Sequence, residues 1–408
     1  EISACLVGSE MCIRDSITYA LKFYGDAEEF LKKYDEYLLW GYSETVERGR
    51  PNIVFKVAGS SPASIDITRK LESLGIGTNN TVTFTVAQEV ELILAKMEGR
   101  ADAAKKGIPL TTVYETNMGG RLDDHLREVQ AEWLIEKALE KVGDKAKPLR
   151  RLAEELDAWY EVKEKTSIKE KVVAISSRKY TNPLTKEPII DFLTESEIPS
   201  SVKDEVKGYL ETLENDIQYC GILVTKRVYE IFFNPKNRPR WIEYLQSRYS
   251  LTREQAEEVM SGIDVLPASK RKTKETLLTL AGANMTHTEF PNHQRTIEMT
   301  SEEPGFNRKD YRESVLKSVD LEILSRLTEE WIGIRDLFIQ AYETTPSQQE
   351  ILRQAKIAGA EKYGVRGVKP EEWAAFGSTV KTMAEFSASY ETFKRKCIEF
   401  AVKLLGKE

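Results

Sequence analysis

Lys56 is the residue of this chain best placed to do chemistry. It interrupts an otherwise apolar run, Asn52-Ile53-Val54-Phe55-Lys56-Val57-Ala58, that reads as a strand. Burial disfavours the charged ammonium, and a neutral lysine amine is a nucleophile toward carbonyls, so the position points to Schiff-base chemistry. Taken alone, a lysine in a strand is more often a solvated edge residue. The polar residues that follow one helix later, Asn79 and Thr81, supply the context that favours a site.

The elements that must position these groups alternate strand and helix from Asn52 to about Lys141, the pattern of a parallel sheet covered by helices. Ser61-Pro62 offers a helix N-cap with proline at the first helical position, and Gly75 stops that helix after Leu74. The next strand is expected over Thr81–Val86, with a helix from about Ala87 to the Lys105-Lys106-Gly107 break. A third strand is expected over Leu110–Glu115, leading through Gly119-Gly120 to a helix near Leu122. Side-chain alternation puts Val54, Lys56 and Ala58 on one face of the first strand and Asn79, Thr81, Thr83 and Thr85 on one face of the second.

Further along, about Glu128 to Ile217 is strongly charged and mostly helical, broken near Pro183, Pro188 and Pro199, with Trp133 and Trp159 as packing anchors. An amphipathic helix is expected at about Gly221–Phe233, a short helical region around Trp241, and a strand over Thr276–Ala283. The end, from about Asp310, reads as helical with interruptions near Thr344-Thr345-Pro346 and Gly364–Pro370.

These segments resemble a family. Asn52–Val57 resembles the strand that carries the Schiff-base lysine of transaldolases, and Gly75-Ile76-Gly77-Thr78-Asn79-Asn80-Thr81, running on to Ala87-Gln88, is similar to their next strand. Gly119-Gly120-Arg121-Leu122-Asp123 resembles the arginine segment after the strand that follows, and Pro370–Gly377 the closing helix of the longer bacterial members. The match is good from Pro51 to about Asp124 and weaker from Gly221 to Ala283. The resemblance implies a (β/α)8 TIM barrel of the class I aldolase type that moves a dihydroxyacetone unit from a ketose phosphate to an aldose phosphate, in the pentose phosphate pathway. Lys56 would then form the imine, Asn79, Thr81 and Thr116 would contact substrate, and Arg121 would bind phosphate by paired hydrogen bonds. No metal or organic cofactor is needed.

The chain departs from the family pattern at Met118, where an aromatic residue is usual, and at Thr116, where a serine is usual. A second phosphate-binding arginine would align near Thr286, with His287 or Arg295 as substitutes. The family's aspartate acid/base and water-activating glutamate lie on earlier strands that this chain lacks; Glu115 is a candidate replacement acid. Asp123, Asp124 and His125 open a helix and read as structural, acids being favoured at a helix N-terminus.

Leu6 to Ser16 resembles, residue for residue, a reading frame of a DNA library adapter, which would place the first native residue near Ile17. The expected organisation is therefore an artefactual segment 1–16, a barrel part 17–127 carrying the lysine, a helical insertion 128–217, and remaining barrel strands with C-terminal helices over 218–408. An incomplete barrel exposes a strand edge, so poor solubility and negligible turnover are expected of the chain as it stands. A fructose 6-phosphate-type aldolase and a non-catalytic sugar-phosphate-binding descendant are the alternatives.

The 408 residues are 31% charged and 41% hydrophobic with a net charge of -7, which allows a sizeable core and argues against a nucleic-acid partner. No apolar run reaches membrane-spanning length. Outside the adapter-like region only Cys220 and Cys397 remain, far apart, which suggests a reducing, cytoplasmic setting. The three histidines, His125, His287 and His293, show no metal-ligand spacing, so no metal site is expected. Sugar phosphates are the expected partners, with homo-oligomer formation left open and the insertion a candidate subunit contact.

Overall fold

The computed structural model describes residues 54–140, 142–194, 200–267, 304–305 and 321–404. The adapter-like segment, the Thr276–Ala283 strand, and Thr286, His287 and Arg295 lie outside the described residues. Among the described residues the fold is mixed α/β and predominantly helical, with a four-stranded parallel sheet of order β1-β2-β3-β4. Its strands are β1 (Val54–Ala58), β2 (Gly77–Thr83), β3 (Val113–Asn117) and β4 (Ile263–Pro267).

Between the first three strands run α1 (Ala63–Ser73) and α2 (Val86–Lys105), and β3 leads into α3 (Gly119–Leu139). Gly75 ends α1 as its type allows, at φ 74°, where a side chain would be strained. The start differs from expectation: the Ser61 side chain makes no cap, and its carbonyl instead accepts the Ser64 N–H at 3.1 Å. α2 opens on a reciprocal capping box in which Thr85 accepts the Gln88 N–H at 3.0 Å and Gln88 accepts the Thr85 N–H at 3.2 Å. The Gln88 amide also donates to the Gly59 carbonyl at 3.0 Å, tying the end of β1 to α2.

The second strand therefore runs over Gly77–Thr83, earlier than the expected Thr81–Val86, because the capping box claims Thr85 and Val86 for the helix. The third strand is Val113–Asn117 rather than Leu110–Glu115, its start set by pairing with the unanticipated β4 through Val113 N–H to the Gly262 carbonyl at 2.8 Å. α3 begins at Gly119, three residues before Leu122, where its backbone meets the start of another helix closely enough that a Cβ on Gly119 would fall 2.8 Å from Gly221 Cα.

A long helical crossover joins β3 to β4. It comprises α4 (Ala146–Glu155), α5 (Ile168–Ile175), α6 (Glu187–Thr194), α7 (Ser200–Ile217), α8 (Cys220–Phe232), α9 (Arg238–Tyr249) and α10 (Arg253–Ser261), with single helical turns at Trp159–Val162 and Arg178–Thr181. Residues from α4 to α6 gather a small apolar core of their own around Leu149, Leu152, Val172, Ile175 and Phe192, closed by Ile135 and Leu139 of α3. α8 is fully engaged with the main core, which also takes in Trp241 and the later helices α11 (Leu321–Leu327), α12 (Arg335–Tyr342) and α13 (Pro346–Gln354). The last helix, α14 (Gly377–Leu404), packs its first turns on α3 and reaches β2. No described helix is long and apolar enough to cross a membrane.

Candidate active site

The register of the sheet places Lys56 opposite Asn79, Asn79 opposite Tyr114, and Tyr114 opposite Asp264. In-register residues of parallel strands project from the same face, so these four form one row across the sheet. The next row toward the strand ends pairs Ala58 with Thr81, and Thr116 with Leu266. Lys56 belongs to the outer strand of the described sheet yet is only 9% exposed, unlike the solvated edge lysine that its isolated sequence context favours.

Three of the expected site residues meet here. The Thr116 hydroxyl donates to Asn79 Oδ1 at 2.6 Å, which fixes the amide. The Thr81 hydroxyl is 1% exposed and has no hydrogen-bond partner among the described residues. Most buried hydroxyls are satisfied, so one left over beside the Lys56 strand stands out.

Arg121 sits in the first turn of α3, just past the end of β3. Its guanidinium donates to Glu385 of α14 and lies over the Phe386 ring, 4.8 Å from the centroid. The two side chains are 26% and 31% exposed, and although partial burial opposes it, Arg121 holds the Glu385 carboxyl below its ordinary value. The expected phosphate-binding arginine thus already carries an internal carboxylate.

The alternation rule fails at one point on β2. Val82 has φ 58°, and the register passes from Asn80 opposite Glu115 to Thr83 opposite Asn117, so β2 carries one extra residue. The bulge turns Thr83 to the other face, where its hydroxyl donates to Glu89 at 2.5 Å. Thr83 and Thr85, expected beside Asn79 and Thr81, therefore leave that face: one bonds α2 and the other caps it.

That second face holds a buried polar layer between sheet and helices. Lys96 of α2 donates to both Asn80 and Glu115, and both members of its ion pair are fully buried. Asn80 Nδ2 donates to Thr68 at 2.8 Å, Thr78 donates to Glu72 through backbone at 2.9 Å and hydroxyl at 2.5 Å, and Asn117 donates to Glu89 at 3.3 Å. Burial raises Glu89 and pushes Glu115 well above the usual carboxylate range. Glu115 is thereby corrected as a replacement acid for the Lys56 site, since it faces α2.

The acids and histidine after Arg121 hold helices together. Asp123 accepts the Gly221 N–H of α8 at 2.8 Å, Asp124 pairs with Arg178 and Arg127, and His125 Nδ1 lies 3.0 Å from Ser378 Oγ at the start of α14. Burial, then Lys381, lowers His125 to about 4. Among the described residues no group of His, Cys, Asp and Glu gathers as a metal ion would require.

Tyr114 and Asp264 were missed as site residues. The signal for Asp264 was the alternation Ile263-Asp264-Val265 directly after Gly262, too short to stand out beside the long helices around it. No family model, curated protein or solved structure matches the chain.

Proposed function

We propose that the protein is a Schiff-base enzyme of the transaldolase type, its sheet the later part of a (β/α)8 barrel, acting on sugar phosphates in the pentose phosphate pathway without a metal or organic cofactor. The observation that carries this reading is the placement of Lys56 and Asn79 side by side on adjacent parallel strands, with Asn79 held by Thr116 and the spare Thr81 hydroxyl one row beyond. A buried amine beside oriented amide and hydroxyl groups suits a polyhydroxylated ketone.

In the proposed reaction Lys56 Nζ adds to the donor carbonyl and water leaves, giving an iminium. A base removes the proton of the hydroxyl two carbons away, the carbon-carbon bond between them breaks, and its electron pair flows into the iminium to give an enamine and a free aldose phosphate. The enamine then adds to the carbonyl of an acceptor aldose phosphate, and water releases the new ketose. Asp264, in the Lys56 row, is the carboxylate among the described residues that fits the base role. Arg121 would bind phosphate by exchanging Glu385 for it.

Borohydride reduction with a ketose phosphate tests the reading. A stable adduct on Lys56, absent in Lys56→Ala, is the expected result; no adduct, or one on another lysine, would overturn it. Asp264→Asn should still be trapped but should not release the aldose phosphate. Omitting the acceptor separates transfer from simple aldol cleavage.

A further inference from the structure

The buried layer between the sheet and α2 sets two acids against one base. Glu89 and Lys96 of α2 and Glu115 of β3 are all fully buried, and Lys96 donates to Glu115 and Asn80. The other charged groups of the layer balance each other: Glu72 of α1 has Arg100 of α2 at 3.6 Å and accepts two hydrogen bonds from Thr78. What β2 and α8 bring is uncharged, Asn80 and Thr83 from the strand and, from the helix, Thr225, which donates to Asn117 at 3.3 Å. Lys96 beside two ionised carboxylates would therefore leave one buried negative charge uncompensated.

The hydrogen bonds are one hydrogen short as well. Each of the two carboxyls has an oxygen, Oε2 in both Glu89 and Glu115, that is buried and that no donor among the described residues reaches. The Thr83 hydroxyl carries a single hydrogen and faces two acceptors, Glu89 at 2.5 Å and the Thr116 carbonyl at 3.1 Å. Glu89 and Glu115 are in hydrogen-bond contact with each other, and carboxyls so placed in a dry interior do not both ionise. Protonating both would leave the Lys96 ammonium buried without a counter-charge. A single added proton balances the layer.

We propose that Glu89 and Glu115 hold one proton between them, making the junction of α2 and β3 a clamp that loosens as the pH rises. The proton closes a carboxyl-to-carboxylate hydrogen bond through the two oxygens that otherwise lack partners, and the negative charge that remains is the one Lys96 neutralises. The contribution of this proton to stability is complete below 4.5 and is lost as pH rises through the raised folded value of the pair. Above that value two carboxylates face each other with one lysine to neutralise them, and β3, which carries Thr116, loses part of its hold on α2.

Difference infrared spectroscopy of the full chain at neutral pH, read at the stretch of the protonated carboxyl, tests this. One buried acid band is expected in the parent. Glu89→Gln and Glu115→Gln should each remove it entirely, because either amide donates to the carboxylate that remains. A band halved in each variant would mean two separate protons, a band lost in one variant alone would mean a proton belonging to a single acid, and no band would mean two carboxylates; each of these overturns the proposal. Glutamine copies the shape of the protonated acid, so both variants should keep the circular dichroism of the parent. The parent alone gives a second reading that needs no variant to fold: its band should vanish on unfolding in urea at neutral pH, with release of the proton to solvent, and a parent that releases none would overturn the proposal.

Discussion

Thr116 of β3 donates its hydroxyl hydrogen to Asn79 of β2 at 2.6 Å, so one strand orients the side chain that stands next to Lys56 on the other. Thr116→Val keeps the shape and removes the donor, freeing the amide to rotate. Borohydride trapping of a ketose phosphate on Lys56 is expected to slow on the order of 10²-fold, the usual scale for a misplaced site group. Trapping at the parent's rate would mean that Asn79 takes no part in forming the imine.

Glu385 stands on Arg121 where a phosphate would bind. Glu385→Gln removes the competing charge, and tighter binding of inorganic phosphate is expected, by up to about fivefold for a partly exposed pair. Arg121→Ala should abolish that binding. Titration calorimetry decides, and a variant that binds phosphate no better than the parent would remove Arg121 from the site.

Lys96 is fully buried against Glu115 and Asn80. Lys96→Ala leaves a polar layer without its cation, and a loss of about 3–5 kcal/mol is expected from denaturant unfolding. Glu115→Gln should cost less, because burial favours the protonated acid that glutamine copies. A raised carboxyl stabilises the fold fully below 4.5 and loses that contribution as pH rises through its folded value. The stability of Glu115→Gln relative to the parent should therefore improve as pH rises from 4.5.

His125 anchors α14 through Ser378 and is lowered from 6.5 to about 4 by burial and Lys381. The unfolded chain takes up a proton below 6.5 while the folded one stays neutral, so stability present above that pH is lost as it falls toward 4. His125→Asn keeps a polar partner for Ser378 and cannot titrate. Urea midpoints at pH 7 and pH 4.5 should differ less in the variant than in the parent; an equal difference would assign the acid sensitivity elsewhere.

What the sequence by itself determined is local. The stop at Gly75, the helix near Gly221–Phe233 and the breaks at Pro346 and Pro370 all depend on residues within a few positions of one another. Their backbone hydrogen bonds close over that range, so the order of residue types is enough to specify them. The apolar run around Lys56 belongs with them.

The tertiary structure alone decided which polar groups share a face. The bulge at Val82 reverses the alternation for Thr83, and no short pattern announces it, because a positive φ on valine persists only where the surrounding sheet holds it. Lys96 claims Glu115 from 19 residues away, and Glu385 reaches Arg121 across 264. Asp264 joins the Lys56 row only because β4 pairs with β3 after a long helical crossover. Such partners are chosen by packing, which buries a charge only where a distant segment can satisfy it, and the spacing of residues along the chain carries no record of that choice.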